Sequence, residues 1–231
     1  MDWTSLNTVE FSITTYCQAK CPLCARTNKK TLEKIDWLPL QHLSLDEYKN
    51  ALDQTKPNKV ISFCGDYGDP VMHPQVEDFL DYAVENNYRV QLHTNGGIRT
   101  KDWYEKIAKK YKNKVSVIFA IDGIDEETNS KYRVGVEFDR AWENMMTHAK
   151  HSNQMTVWNF LVFDFNYDQL DEAYKISKEN NIEFVPHMNN RTSAYYNHLI
   201  KDLTLRVQLE EKCANIYNKE ALVERVGSYG N

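Results

Sequence analysis

No stretch of this 231-residue chain approaches the roughly 18 consecutive apolar residues needed to cross a bilayer, which excludes a membrane-spanning role. The N-terminus, Met1-Asp2-Trp3-Thr4, has no basic region followed by an apolar run, so no secretory signal is expected and the cytoplasm is the expected compartment. Positive charge is also short: 28 Lys and Arg stand against 33 Asp and Glu, a net charge of −5. That balance argues against a nucleic-acid partner, whose phosphates require a basic face to displace counterions. Cysteine is sparse and odd in number, with five residues, and no second CxxC pair follows the first. Such usage is at odds with a disulfide framework. There is no internal repeat and no low-complexity linker.

What is present is the balance of a protein able to bury a core, with 42% hydrophobic and 26% charged residues. Short β-type runs alternate with helix-type runs. Strands are predicted at Val9 to Thr14, Lys59 to Phe63, Arg89 to Thr94, Val115 to Ile121, Thr156 to Phe163 and Ile182 to Val185. The fourth is nearly all apolar and reads as buried on both faces. Helices are predicted from Ser44, whose Ser-Leu-Asp-Glu places an acid three residues after an N-cap, and at Pro74 to Asn87, Lys101 to Tyr111, Phe138 to His151 and Tyr167 to Asn180. Asn86-Asn87 suits a helix exit because Asn tolerates left-handed backbone. The lysines at 101, 106, 109, 110, 112 and 114 read as the solvated face of a helix. Tyr196 to about Val226 reads as helical, and Gly227 to Asn231 as a frayed tail.

Six strand–helix alternations imply an α/β fold with a parallel sheet and right-handed crossovers. The expected form is an open or partial six-stranded barrel. Sheets of this kind carry working residues at the carboxyl ends of their strands. Each conspicuous polar motif follows a strand: the cysteine cluster, Gly65 to Pro70, Thr94 to Gly97, Asp122-Gly123, Asp164 to Asn166 and His187 to Arg191.

The cluster is Cys17-Gln-Ala-Lys-Cys21-Pro-Leu-Cys24, with spacing CxxxCxxC. Three thiolates on one short loop can hold three irons of a cubane, because Fe–S clusters are normally held by cysteine thiolates. The fourth iron then has no local protein ligand, and a reactive metal site requires such an open position. The competing reading is a zinc site completed by His42, His73 or His93. Cys64, at the end of a buried strand, reads as a small hydrophobe. Cys213 stands alone in a helix, so no auxiliary cluster is expected within one subunit.

Placed after the first strand, this motif resembles that of the radical S-adenosylmethionine (SAM) superfamily, and the similarity runs from Val9 to about His187. It resembles most the short, often phage-encoded members related to the SPASM/twitch group, without their auxiliary-cluster cysteines. The resemblance implies a partial (β/α)6 TIM-like barrel over residues 1–190, with a helical C-terminal extension over 191–231. It implies a [4Fe–4S] cluster on Cys17, Cys21 and Cys24 and SAM chelated to the open iron. One electron cleaves the sulfonium bond, and a 5′-deoxyadenosyl radical abstracts a substrate hydrogen.

Phe63-Cys64-Gly65-Asp66-Tyr67-Gly68-Asp69-Pro70, then His73-Pro74, resembles the family's segment for the SAM amino group. Asp69 stands where many members have Glu, and a carboxylate suits an ammonium. Outside this context the segment is a Gly-Asp-Pro turn. His93-Thr94-Asn95-Gly96-Gly97 and Ile121-Asp122-Gly123 match the third- and fourth-strand segments, with Ala120 where many relatives carry Ser. The SAM contacts implied are therefore Leu23, Gly68, Asp69, Asn95 and Asp122. Leu23 replaces a common aromatic, and Arg133 either contributes or pins a loop. Trp158, Phe160 and Val162 share one strand face and read as core. Arg191 suits a carboxylate or phosphate. The resemblance further implies an electron donor of flavodoxin or ferredoxin type and leans toward a peptide or protein substrate. An iron–sulfur carrier or sensor without radical chemistry remains the other class.

Overall fold

The computed structural model describes residues 7–55, 59–153 and 155–227, with side chains of the last helix described as far as residue 218. Six strands, β1 (Thr8–Glu10), β2 (Val60–Phe63), β3 (Arg89–Thr94), β4 (Val115–Ala120), β5 (Thr156–Val162) and β6 (Glu183–Met188), form one sheet in sequence order. Every neighbouring pair is parallel. The sheet is a partial barrel, with β1 and β6 at its two edges. The helices are α1 (Leu45–Leu52), α2 (Val76–Glu85), α3 (Lys101–Tyr111), the short α4 (Glu126–Asn129), α5 (Phe138–His151), α6 (Leu170–Glu179) and α7 (Leu203–Gly227).

Local chemistry sets several boundaries. Ser44 caps α1 in a full capping box with Glu47. Asn87, just after α2, adopts φ 64°, the left-handed exit that its side chain tolerates. The lysines of α3 are paired on its exposed face, Lys101 with Glu143 at 2.7 Å, Lys106 with Glu77 at 2.6 Å and Lys110 with Asp81 at 2.7 Å.

Alternation along the strands separates two environments. Ile61, Phe63, Val90, Leu92, Val117, Phe119, Trp158, Phe160 and Phe184 point toward the helices and are fully buried. Each contributes roughly 1.5–3 kcal/mol on burial. The opposite side chains, among them Gln91, His93, Ser116, Ile118, Val157, Asn159, Val185 and His187, line a lumen of about 480 Å³. β4 accordingly alternates between buried and half-buried residues and is not buried on both faces as its composition predicts. The reason is that the barrel leaves its interior open.

Three further departures concern ends. β1 is shorter than predicted, with Phe11 continuing the pairing through its amide to Ser62 O at 2.9 Å. β6 extends three residues past Val185, so His187 belongs to the strand. The last helix begins at Leu203, not Tyr196, because Ser193 Oγ accepts the amides of Tyr195 and Tyr196 and holds a turn there. Asp202 then accepts the amide of Leu205 at 3.0 Å and starts the helix. α7 lies against β6, and Leu209, Cys213 and Ile216 join the main core. The predicted frayed tail beyond Gly227 lies outside the described residues. No helix among the described residues is long and apolar enough to cross a membrane.

Candidate functional site

The loops at the carboxyl ends of the strands enclose a cavity of about 320 Å³. Cys17, Cys21 and Cys24 all line it, with Gly65, Gly68, Asp69, Thr94 and Asn95. The cysteine loop coils through two successive turns, Cys24 N donating to Cys21 O at 3.0 Å and Thr27 N to Cys24 O at 3.1 Å. It is fastened from outside by Lys20 N to Val134 O and by Asp69 N to Tyr16 O, both 2.8 Å.

Each thiol meets a different strand-end loop. Asn95 Nδ2 donates to Cys17 Sγ at 3.7 Å, after β3. Arg133 Nη1 stands 4.0 Å from Cys21 Sγ, after β4. Cys24 Sγ donates to Asp66 O at 3.7 Å, after β2. Burial pushes the Cys17 thiol up to about 12 and raises Cys21 as well. Such thiols become thiolates readily only beside a metal, which deprotonates them on coordination.

None of the three is in a disulfide. Among the described residues no three His, Cys, Asp or Glu side chains converge tightly enough to hold a single ion. Three cysteine thiols on one loop are a donor set that fits a cubane, which places its ligands on separate irons.

The Gly65–Pro70 segment has its shape for steric reasons. A Cβ on Gly65 would lie 1.6 Å from Gly68 O, and one on Gly68 would lie 2.1 Å from Thr14 O. Asp69 then caps a short 3-10 turn, Pro70–Met72, accepting Val71 N at 3.0 Å on Oδ1. Its Oδ2 accepts Thr94 Oγ1 at 3.0 Å and Asn95 N at 2.9 Å. Burial raises its pKa, and these three donors work against that rise. Of the roughly four lone-pair sites of a carboxylate, these donors occupy three, one on Oδ1 and two on Oδ2.

Of the residues marked by the sequence, Gly68, Asp69 and Asn95 border the cavity with the three cysteines, whereas Leu23 and Asp122 do not. Leu23 is 6% exposed and packs in the core. Asp122 is fully buried behind Arg133, with Oδ2 accepting Arg133 Nε at 2.6 Å and Oδ1 accepting Leu161 N at 2.7 Å. Burial disfavours the Arg133 charge, but Asp122 and Cys21 outweigh it and raise its pKa. Arg133 and Tyr132 themselves face the cavity.

Ala120, Arg191, Arg26, Cys64 and Asn159 also line it. Cys64 is a correction: it directly follows the last residue of β2, is half-buried and lines the cavity. Burial pushes its thiol up to about 11. Sequence reasoning passes over Asn159, whose signal is a polar residue on the strand face opposite Trp158 and Phe160. Its Oδ1 is buried without a hydrogen-bond partner, and it lines both the cavity and the lumen, as does His93.

A six-stranded parallel partial barrel thus gathers three cysteines into a cavity at the carboxyl ends of its strands. The sequence profile of the radical SAM superfamily matches residues 11–176. The chain belongs to that superfamily, whose members are enzymes that bind SAM and a [4Fe–4S] cluster. It is 24% identical over 176 residues to the AdoMet-dependent heme synthase of Methanosarcina barkeri, covering 74% of this chain and 47% of that one. It is 26% identical over 123 residues to the subtilosin biosynthesis protein AlbA of Bacillus subtilis, covering 53% of this chain and 26% of AlbA. The chain thus spans half or less of the curated relatives it matches. Its fold is similar to that of Streptococcus suis SuiB bound to the precursor peptide SuiA, with a TM-score of 0.67, 20% identity, and coverage of 96% of this chain and 47% of SuiB.

Proposed function

We propose that Cys17, Cys21 and Cys24 hold three irons of a [4Fe–4S] cluster and that the protein acts on a peptide or protein substrate. The observation that carries the first part is the convergence of three unpaired cysteines on one cavity with Asp69 and Asn95. Held there, a cluster would supply the electron for reductive cleavage of the sulfonium bond of SAM, the chemistry that would start hydrogen abstraction from a substrate.

The chain's own residues bind and orient. Asn95 and Arg133 donate toward thiolate sulfur, which stabilises a charged ligand set. Asp69 fixes the β2 and β3 loops to one another, and as a carboxylate bordering the cavity it is suited to an ammonium. Substrate would meet the cofactor where His93 and Asn159 join cavity and lumen. The peptide class is supported by the relatives: AlbA is a bacteriocin biosynthesis protein, and SuiB is seen with a precursor peptide.

The test is anaerobic cluster reconstitution and dithionite reduction with SAM, assayed for 5′-deoxyadenosine. Release by the native chain and its loss in Cys21→Ala support the reading. Uptake of zinc with no acid-labile sulfide overturns it. The second reading, a closed cluster that only carries electrons, is favoured by one observation, the presence of Cys64 at the same cavity. In that case Cys64→Ser would lose the cluster.

A further inference from the structure

Reductive cleavage of SAM consumes one electron per event. Apart from the proposed cluster ligands, the described cysteines are Cys64 at the same cavity and Cys213 on α7. An electron supplied by a separate protein would reach the cluster through the surface around the cysteine loop.

That surface is made by residues 27–41, a flap laid over the outside of the loop. Thr27 bridges Lys34, Ile35 N donates to Arg26 O at 2.9 Å, and Thr15 Oγ1 donates to Pro39 O at 2.7 Å while accepting Gln41 N at 2.8 Å. The flap presents two large apolar side chains to solvent, Trp37 at 68% exposure and Leu40 at 48%. Exposed aromatic and aliphatic groups gathered beside a functional site mark interaction surfaces, and Trp is enriched among the residues that anchor them.

The local charge departs from that of the chain. Between Cys17 and Leu40, five basic residues (Lys20, Arg26, Lys29, Lys30 and Lys34) stand against two acidic ones, Glu33 and Asp36, in a chain of net charge −5. Lys20 pairs with Glu33. Lys29 and Lys34 donate to backbone carbonyls of Cys24, Ile35 and Leu38, which leaves their charge uncancelled by a carboxylate.

A short path connects this patch to the thiols. The Trp37 ring meets Tyr67 edge-on at 5.8 Å, Arg26 Nε holds Tyr67 O at 3.0 Å, and the neighbouring Asp66 O accepts Cys24 Sγ at 3.7 Å.

We infer that this flap, centred on Trp37, Leu40 and Lys30, is the docking surface of an acidic one-electron carrier protein. The inference rests on the cluster assignment above. Apolar contact at Trp37 and Leu40 supplies adhesion, and the lysines steer an acidic partner to it.

The experiment compares two reductants on the reconstituted, SAM-bound chain by stopped-flow absorbance: a photoreduced acidic flavodoxin, and dithionite, which needs no docking. Trp37→Ala/Lys30→Glu is expected to lower the second-order rate with flavodoxin by tenfold or more, with a dithionite rate within twofold of native. The native flavodoxin rate should fall as salt rises. Leu203→Ser, at an exposed position of α7, should change neither. Equal flavodoxin rates in native and variant overturn the assignment, as does an equal loss with both reductants, which would mean damage to the cluster pocket. Unchanged reduction with loss of peptide modification would give the patch to substrate and also overturn it. A chain that assembles no cubane defeats the underlying reading, and the docking surface with it.

Discussion

Arg133 donates Nε to Asp122 Oδ2 at 2.6 Å within the protein, and the same guanidinium reaches toward Cys21. The pair joins the fold to the site, since Asp122 also fixes the amide of Leu161 on β5. Removing one partner strands a buried charge. Asp122→Ala is expected to lower unfolding free energy by about 3–5 kcal/mol in urea titrations. Asp122→Ala/Arg133→Met should lose less than the single variant, because no unpaired guanidinium then remains.

Asp69 combines an observed architectural task with the ligand-facing one proposed for it. Asp69→Asn keeps the size and removes the charge, so the reconstituted variant should bind SAM at least tenfold more weakly in equilibrium dialysis, about 1.4 kcal/mol. Its iron and sulfide content should stay native. Unchanged SAM affinity would confine Asp69 to holding the β2 and β3 loops together.

Cys64 borders the cavity, yet lies outside the CxxxCxxC loop. Cys64→Ser is expected to retain about four irons per chain and to release 5′-deoxyadenosine within about threefold of native. Loss of the cluster in this variant would favour a closed carrier site.

His148 provides a pH dependence independent of the site. It is fully buried on α5, bonded through Nδ1 to Thr156 Oγ1 at 2.7 Å, with burial pushing its pKa down to about 3. Unfolding exposes an imidazole with a pKa near 6.5. The unfolded chain therefore binds the extra proton between these values, and stability falls as pH drops through that window. Between pH 7 and pH 4 the contribution lost is roughly 3 kcal/mol. Urea midpoints across that range should fall in the native chain and fall less in His148→Gln.

Much of this architecture was legible before any coordinates. Arg89–Thr94, Lys101–Tyr111 and Phe138–His151 appear with the predicted bounds, because strand alternation and helical periodicity there are uninterrupted. That the cysteine loop, Asp69 and Asn95 meet at one end of the sheet could be read from the sequence because their motifs directly follow strands. The departures have physical causes. Apolar composition could not reveal that β4 faces an open lumen. Nor could it show that Leu23 turns into the core, or that the carboxylate of Asp122 is taken up by Arg133 and Leu161. Those outcomes depend on partners distant in sequence. The Ser193 turn that delays α7 is local, but its signal was masked by helix-favouring residues downstream.

The central claim is that three cysteines leave one iron open to SAM. Low-temperature EPR of the reduced, reconstituted chain tests it most directly. The account predicts a [4Fe–4S]⁺ signal whose g-values shift on adding SAM, with no such signal in Cys21→Ala. A native spectrum that SAM leaves unchanged, or a signal that survives in Cys21→Ala, would contradict it.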